Sequence, residues 1–372
     1  MKRNILVAHG GGPTTVINAS LFGVIDEAMR QSSSGKVFGA IHGVEGVLND
    51  ELIELSSQDQ KQLLLLPYTP ASAIGSCRRK LTDADYPRIL EVLKKHDIGC
   101  FFYNGGNDSM DTCNKIAKLA EASGYDLAVI GIPKTIDNDL ALTDHCPGYG
   151  SAARFIANNT RDLWMEVRAM PMYVTIMETM GRNAGWLTAA GSIPDYDGKP
   201  CAQLVYLPEY AFDENAFLAD VDNLLHKQRE ILIVVSEGLA DENGKMIADL
   251  GIVDGFGHKL AGGAAQALCD KVTARLGVRA RAERHGFLGR CSMIMQSAQD
   301  REEAIAAIRR DSDHPYAWSL TEVPLENVAN LERKFPLEWI NQGRNGITDE
   351  FRTYALPLIG EPLPPYAVLS GR

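Results

Sequence analysis

Short unbroken apolar runs, each cut off by glycine, proline or polar residues and followed by a helical repeat, constrain this chain more than any other feature. They read "NILVA" from Asn4, "CFFY" from Cys100, "LAVIGI" from Leu127, "YVTIM" from Tyr173 and "ILIVV" from Ile231. Runs of this length without polar alternation suit strands covered on both faces, as in a parallel sheet. Between them lie segments with helical periodicity, such as "NASLFGVIDEAMRQ" from Asn18 and "SAARFIANNTRDLWMEV" from Ser151. The alternation predicts an α/β architecture of doubly wound, mainly parallel sheets. In such sheets ligands sit beyond the carboxyl ends of the strands, and the polar clusters of this chain fall at those ends. No repeat or Gly/Ser linker marks a boundary; a crossover between domains is expected near Gly148. The Pro-rich tail "LPLIGEPLPPYAVLSGR" is expected to run extended over the surface.

At 372 residues the chain has room for two domains of ordinary size or one large α/β unit. A formal charge of -11 argues against general nucleic-acid binding but leaves room for a clustered cationic site for a small anion. Seven scattered cysteines without a CxxC pair fit reduced thiols better than disulfides or a zinc site. No run approaches a membrane span, and the apolar part of "MKRNILVAHGGG" is too short for a signal peptide. A cytoplasmic protein is expected.

Three strand-end clusters carry chemistry. In "HGGGPTTVINAS", Gly11 and Gly12 let backbone amides approach a phosphate ahead of a helix N-terminus; a tight turn without a ligand is an equal reading, and the pattern is neither GxGxxG nor a Walker loop. In "YNGGNDSMDT", Gly106 frees the backbone, while Asn107, Asp108 and Ser109 offer hard oxygens for a hydrated Mg²⁺. The plainer reading there is an N-cap by Asp108 or Ser109, which accounts for one polar residue and not for the group. In "GIPKTIDNDLALTDH", Asp137 is placed to act as a general base and Lys134 to neutralise phosphate oxygens. A solvated Asx turn would leave Lys134 and the second carboxylate, Asp139, without a role. Basic residues complete the set: Arg78 in "GSCRRKL", Arg182 in "METMGRNAGW", and Arg281, Arg284 and Arg290 in "RAERHGFLGR". Glu237 in "VVSEGL" ends a buried run, where a carboxylate can accept hydrogen bonds from sugar hydroxyls.

In this order the motifs resemble the phosphofructokinase family. "PKTIDND" is similar to its P-x-T-I-D-N-D catalytic loop, "GGNDS" to its GGDGS or GGDDS loop, "MGR" to its sugar-binding strand end and "SEG" to its A/S-E-G element. The resemblance implies two Rossmann-like domains. Residues 1–147 with roughly 289–350 would bind the phosphate donor and Mg²⁺, and 148–288 with the C-terminal tail would bind the sugar phosphate. It implies phosphoryl transfer to the 1-hydroxyl of fructose 6-phosphate. Asp137 would be the base with Thr135 beside it, and Arg78 and Arg182 would balance charge on the moving group. Met180, Gly181, Arg182 and Glu237 would contact the sugar; Arg281, Phe287 and Arg290 fall at its 6-phosphate. Arg281 arrives from a neighbouring subunit in this family, which implies a homodimer or homotetramer with shared active sites.

Family members that use ATP carry Gly at the positions of Asp108 and Lys134; those that use pyrophosphate resemble this chain at both. The physics agrees. A carboxylate at 108 repels the α-phosphate of a nucleotide, and Lys134 pairs with a compact diphosphate. Like charges ~4 Å apart cost roughly 1 kcal/mol in water and about 4 kcal/mol at an intermediate dielectric. Pyrophosphate is the expected donor. Three departures stand out: Asn107 replaces a metal-binding Asp, Phe287 a phosphate-binding His or Tyr, and Tyr173 an inter-subunit Arg. They admit a related sugar such as sedoheptulose 7-phosphate as an alternative acceptor. The rivals are an ATP-dependent kinase of the same fold and a non-catalytic regulatory subunit, against which Asp137, Thr135, Arg78 and Arg182 speak. A nicotinamide dehydrogenase is disfavoured, because no GxGxxG turn has an acidic partner about 20 residues on.

Overall fold

Two faces of one strand show how the first core is built. In β1 (Asn4–His9), Ile5 and Val7 point into a cluster with Leu21, Val24 and Ile25, while Leu6 and Ala8 point into another with Ile89, Leu93, Cys113 and Ile116. The period of two thus sends alternate apolar side chains into helix layers on opposite sides of the sheet. A computed structural model describes residues 3–170, 173–253, 259–261, 263–306 and 320–368. It divides into two units, Met1–Tyr149 with Arg290–Arg333, and Gly150–Gly289 with Lys334–Arg372.

The first unit is built on β1, β2 (Val37–Ala40), β3 (Leu52–Glu54), β4 (Ile98–Gly105) and β5 (Ala128–Pro133), in the order β3-β2-β1-β4-β5. All pairings are parallel except β2 with β3. Strand order reverses between β1 and β4, so their carboxyl ends flank a topological switch point, where α/β sheets bind ligands. The run at Leu127 departs from the expected double burial: β5 lies at the sheet edge, and its Ile130 is 44% exposed.

In the second unit β6 (Tyr173–Thr179) is central. Beyond the two-residue strands β7 (Asp195–Tyr196) and β8 (Lys199–Pro200) come β9 (Leu204–Tyr206) and β10 (Glu230–Ser236). The ribbon β11 (Asp249–Val253) with β12 (Lys259–Ala261) precedes β13 (Ala280–Arg284). The main sheet, β13-β6-β10-β9, is parallel throughout. Val174 and Ile176 of β6 and Ile231, Ile233 and Val235 of β10 meet Leu268 and Val272 of the helix Ala264–Leu276. Residues 334–350, placed with the donor domain by the sequence reading, belong to this unit, where Phe335 packs edge-on to Trp186 at 5.0 Å. The tail 360–368 is irregular and lies along the helix Tyr149–Ala169: Arg154 Nη1 donates to Ile359 O at 2.9 Å, and the Arg161 guanidinium stacks over Tyr366. Residues 369–372 lie outside the described part. The α/β fold with mainly parallel sheets is the expected one.

Candidate active site

The turn after β1 is held as a rigid floor. Gly11 has φ +76°, a left-handed conformation natural to glycine. Its N–H donates to Cys77 O at 3.0 Å, and Ser76 Oγ donates to Gly11 O at 2.7 Å, so the segment bearing Arg78 runs beside the turn. A Cβ on Gly12 would stand 2.7 Å from Arg290 Nη1 and 3.2 Å from Arg78 Nη2. Two guanidiniums therefore converge on a backbone that only glycine leaves open.

Beneath them lies Lys134, 3% exposed. Its ammonium donates to Gly10 O at 2.9 Å and Gly12 O at 2.7 Å. Burial pushes its pKa down to about 8, and the charges of Arg78 and Arg290 push the same way, against the pull of Asp137 and Asp139. Lys134 is thus both a brace for the glycine turn and a positive charge behind it.

The second cluster opens the helix Asn107–Ala122, whose N-cap is Gly106 without a side-chain capping bond. Capping by Asp108 or Ser109 is not what the structure shows. Ser109 is 5% exposed and bonds Tyr103; its Oγ would be 2.3 Å from a Cβ on Gly10 and 2.0 Å from one on Gly105. It fills the space those glycines leave and braces the turn from within. Asp108 is exposed in the first helical turn, and the Oδ1 of Asn107 is buried with no partner among the described residues. No group of three or more His, Cys, Asp or Glu among the described residues could cage a metal.

The third cluster follows β5. Lys134 N donates to Gly105 O at 3.1 Å and Thr135 N to Pro147 O at 3.2 Å. The Thr135 hydroxyl accepts from Asp137 N at 3.1 Å and bonds the Asp139 carboxylate, which burial, aided by Glu332, raises above the usual range. Asn138 sits at φ +56°, which asparagine tolerates, and its Oδ1 accepts from Cys146 N at 2.9 Å. Arg333 holds this bend from outside: Nε and Nη2 donate to Asn138 O at 3.1 and 2.9 Å, and Nη1 to Thr143 O at 2.8 Å. Further along, Gly148 N donates to Asp300 Oδ1 at 2.8 Å, and His145 bonds Glu303. Arg333, Asp300, His145 and Glu303 were not singled out by the sequence reading; each acts on a partner far away in the chain or lacks a local motif.

In the second unit, the ends of β6 and β10 adjoin. Gly181 has φ +115°. Ser236 Oγ donates to Gly181 O at 2.8 Å and accepts from Gly238 N at 2.9 Å, while Glu237 N donates to Thr179 O at 3.0 Å. A Cβ on Gly238 would collide with Arg182 O at 1.8 Å. These constraints set Met180, Gly181 and Arg182 against Glu237. Burial raises the Glu237 carboxyl; Arg182 draws it back, and Glu178 pushes with burial. The Nε of Arg182 is buried without a partner among the described residues. Glu178 itself accepts from Ala265 N at 3.0 Å and pairs with Arg284 at 3.1 Å. Arg281 is exposed on β13, and Phe287 is 69% exposed. Arg281 and Arg290, read together from the sequence as 6-phosphate ligands, belong to different units, Arg290 lying with Arg78 at Gly12.

Set against known proteins, the chain matches the phosphofructokinase family model over residues 4–305. It belongs to the phosphofructokinase family. Within that family it is 42% identical to the pyrophosphate–fructose 6-phosphate 1-phosphotransferase of Xanthomonas campestris pv. campestris, over 96% of this chain and 91% of the relative. It is 40% identical to the protein of the same description from Methylococcus capsulatus, over 98% and 94%. The crystal structure of a pyrophosphate-dependent phosphofructokinase from Nitrosospira multiformis superposes with a TM-score of 0.86 at 36% identity, covering 100% of this chain and 95% of that one. The phosphofructokinase motifs quoted from the sequence are therefore found on the phosphofructokinase fold. Among the described residues no helix is long and apolar enough to cross a membrane, and none of the seven cysteines is in a disulfide.

Proposed function

We propose that this phosphofructokinase transfers a phosphoryl group from pyrophosphate to the 1-hydroxyl of fructose 6-phosphate, giving fructose 1,6-bisphosphate and phosphate, reversibly. The observation that carries the donor assignment is the buried Lys134 ammonium beneath a glycine turn that two arginines also approach, with Asp108 exposed at the adjoining helix start. That arrangement concentrates positive charge for a compact diphosphate and sets a carboxylate against a nucleotide's α-phosphate.

In the reaction, the sugar's O1 forms a bond to the transferred phosphorus while the bridging P–O bond of pyrophosphate breaks. The Asp137 carboxylate takes the O1 proton, and the leaving phosphate departs with the bridging oxygen. Thr135 fixes the backbone on which Asp137 stands. Arg78, with Lys134 behind the turn, and Arg182 balance charge as it moves to the leaving group, so catalysis consists of positioning and electrostatics. On the acceptor side, Met180, Gly181 and Glu237 hold the sugar hydroxyls, and Arg290, with Arg281 arriving from a neighbouring subunit, takes the 6-phosphate; the place of Arg290 at Gly12 lets it serve the transferred group as well.

The unpartnered Asn107 oxygen and the Asp108 carboxylate fit a largely hydrated Mg²⁺ shared with the donor's phosphates better than a protein cage, since this ion keeps several waters and prefers one or two protein oxygens. Such an ion would neutralise diphosphate charge. A cytoplasmic homodimer or homotetramer completes the proposal. The test is product formation from fructose 6-phosphate and Mg²⁺ with pyrophosphate in one reaction and ATP in another. Turnover with pyrophosphate is expected; turnover with ATP alone would refute the donor assignment.

A further inference from the structure

One chemically capable side chain beside the glycine turn has no place in the reaction above. His9, the last residue of β1, is wholly buried, and its Nδ1 lies 2.7 Å from Ser72 Oγ. The Ser72 hydroxyl has a single hydrogen, which it donates to Gly75 O at 2.8 Å. Toward His9 it is therefore an acceptor, and the imidazole carries its proton on Nδ1. The other nitrogen, Nε2, is buried with no hydrogen-bond partner among the described residues.

That orphan nitrogen is informative. An apolar side chain at the same place would avoid leaving a buried nitrogen without its hydrogen bond. Packing alone does not account for a histidine here; the Nδ1–H bond does. Ser72 opens the segment that returns through Gly75, at φ +76°, to Ser76 and Cys77. Both of those residues bond Gly11. Arg78 follows directly, with Nη2 3.2 Å from the point where a Gly12 Cβ would lie. The far end of the segment is tied by Asn18, which donates to Thr69 O at 2.9 Å and accepts from Ala73 N at 2.8 Å. His9 thus anchors the bend between two fixed ends, and the direction in which Arg78 leaves depends on that bend.

We infer that His9 is a positioning residue for Arg78, acting through the Ser72 hydroxyl. The inference deepens the phosphoryl-transfer reading and rests on it. His9 touches no substrate; it sets the path of the backbone from which the Arg78 guanidinium reaches the transferred phosphoryl group, where a misplacement of an ångström is felt in the rate.

A double-mutant cycle tests it, because residues that act through one another fail to add. Turnover of pyrophosphate and fructose 6-phosphate with Mg²⁺ is measured for His9→Ala in the natural background and again in Arg78→Lys. In the natural background kcat is expected to fall about tenfold, with KM for fructose 6-phosphate changed by less than about twofold; in Arg78→Lys the same substitution should cost less than about twofold. His9→Asn, which restores an N–H, should recover part of the loss. Should His9→Ala fail to fold, Ser72→Ala, which removes the acceptor and leaves the imidazole, carries the same cycle. A loss above about twofold in the Arg78→Lys background, or one confined to KM for the sugar, overturns the inference. A natural protein inactive with pyrophosphate would instead count against the phosphoryl-transfer reading, before any variant is compared.

Discussion

If the Lys134 ammonium must be charged for pyrophosphate to bind, activity should carry its titration. The folded protein lowers this pKa from 10.5 to about 8, so roughly nine-tenths of the side chain is cationic at pH 7 and about one-tenth at pH 9. The apparent kcat/KM for pyrophosphate, which reports the free enzyme, should therefore fall about tenfold between these values. Bound diphosphate adds negative charge beside the ammonium and holds the proton more tightly, so the corresponding fall in kcat should appear at higher pH. The same shift bears on stability. A base whose folded pKa lies below its unfolded one binds fewer protons when folded between pH 8 and 10.5, so its contribution makes the fold more stable as pH rises through that window. A displacement of this size corresponds to about 3 kcal/mol. The assay is a pH series of initial rates at fixed free Mg²⁺, run for the natural protein and for the residual activity of Lys134→Met. The substrate's own ionisation is common to both arms and cancels in their ratio. A natural profile flat to pH 10, or the same fall in Lys134→Met, would show that the reasoning from burial and neighbouring charge is wrong.

Other outcomes follow from the same geometry. Asp137→Asn should lower turnover by about 10²–10⁴-fold while calorimetric affinity for fructose 6-phosphate stays within about twofold; an active variant would place the base elsewhere. For His145, burial lowers the pKa, but the hydrogen bonds of Asp144 and Glu303 outweigh it and lift the value to about 9. Its stabilisation is therefore fully present below pH 6.5 and lost as pH rises through about 9. His145→Gln should cost about 1–3 kcal/mol at pH 6, read from urea midpoints, with the gap closing toward pH 10; a gap independent of pH would remove the ion pair from the account.

The strand-end clusters were legible because each packs its chemistry into a contiguous stretch: PKTIDND needs no knowledge of distant residues to read as a phosphate and proton site. The double burial of β1 was legible from its unbroken apolar run, whereas the run at Leu127 has the same pattern and ends at a sheet edge. Nothing local distinguishes the two, since edge or centre depends on what pairs with the strand. Ser109 read as a ligand because its neighbours are polar; its depth is set by Tyr103 and by the missing Cβ atoms of Gly10 and Gly105. Arg333 could not be found at all, as its partners lie 190 and 195 positions away.

That distance has a consequence for the order in which the protein becomes competent. The bend at Asn138 is closed by a side chain delivered nearly two hundred residues later. On a ribosome, β1 to β5 can pair as soon as they emerge, yet the loop carrying Asp137 stays without its outer clasp until Arg333 has followed. The bend beside Asp137 should therefore gain its outer bracing only after the five strands behind it have paired.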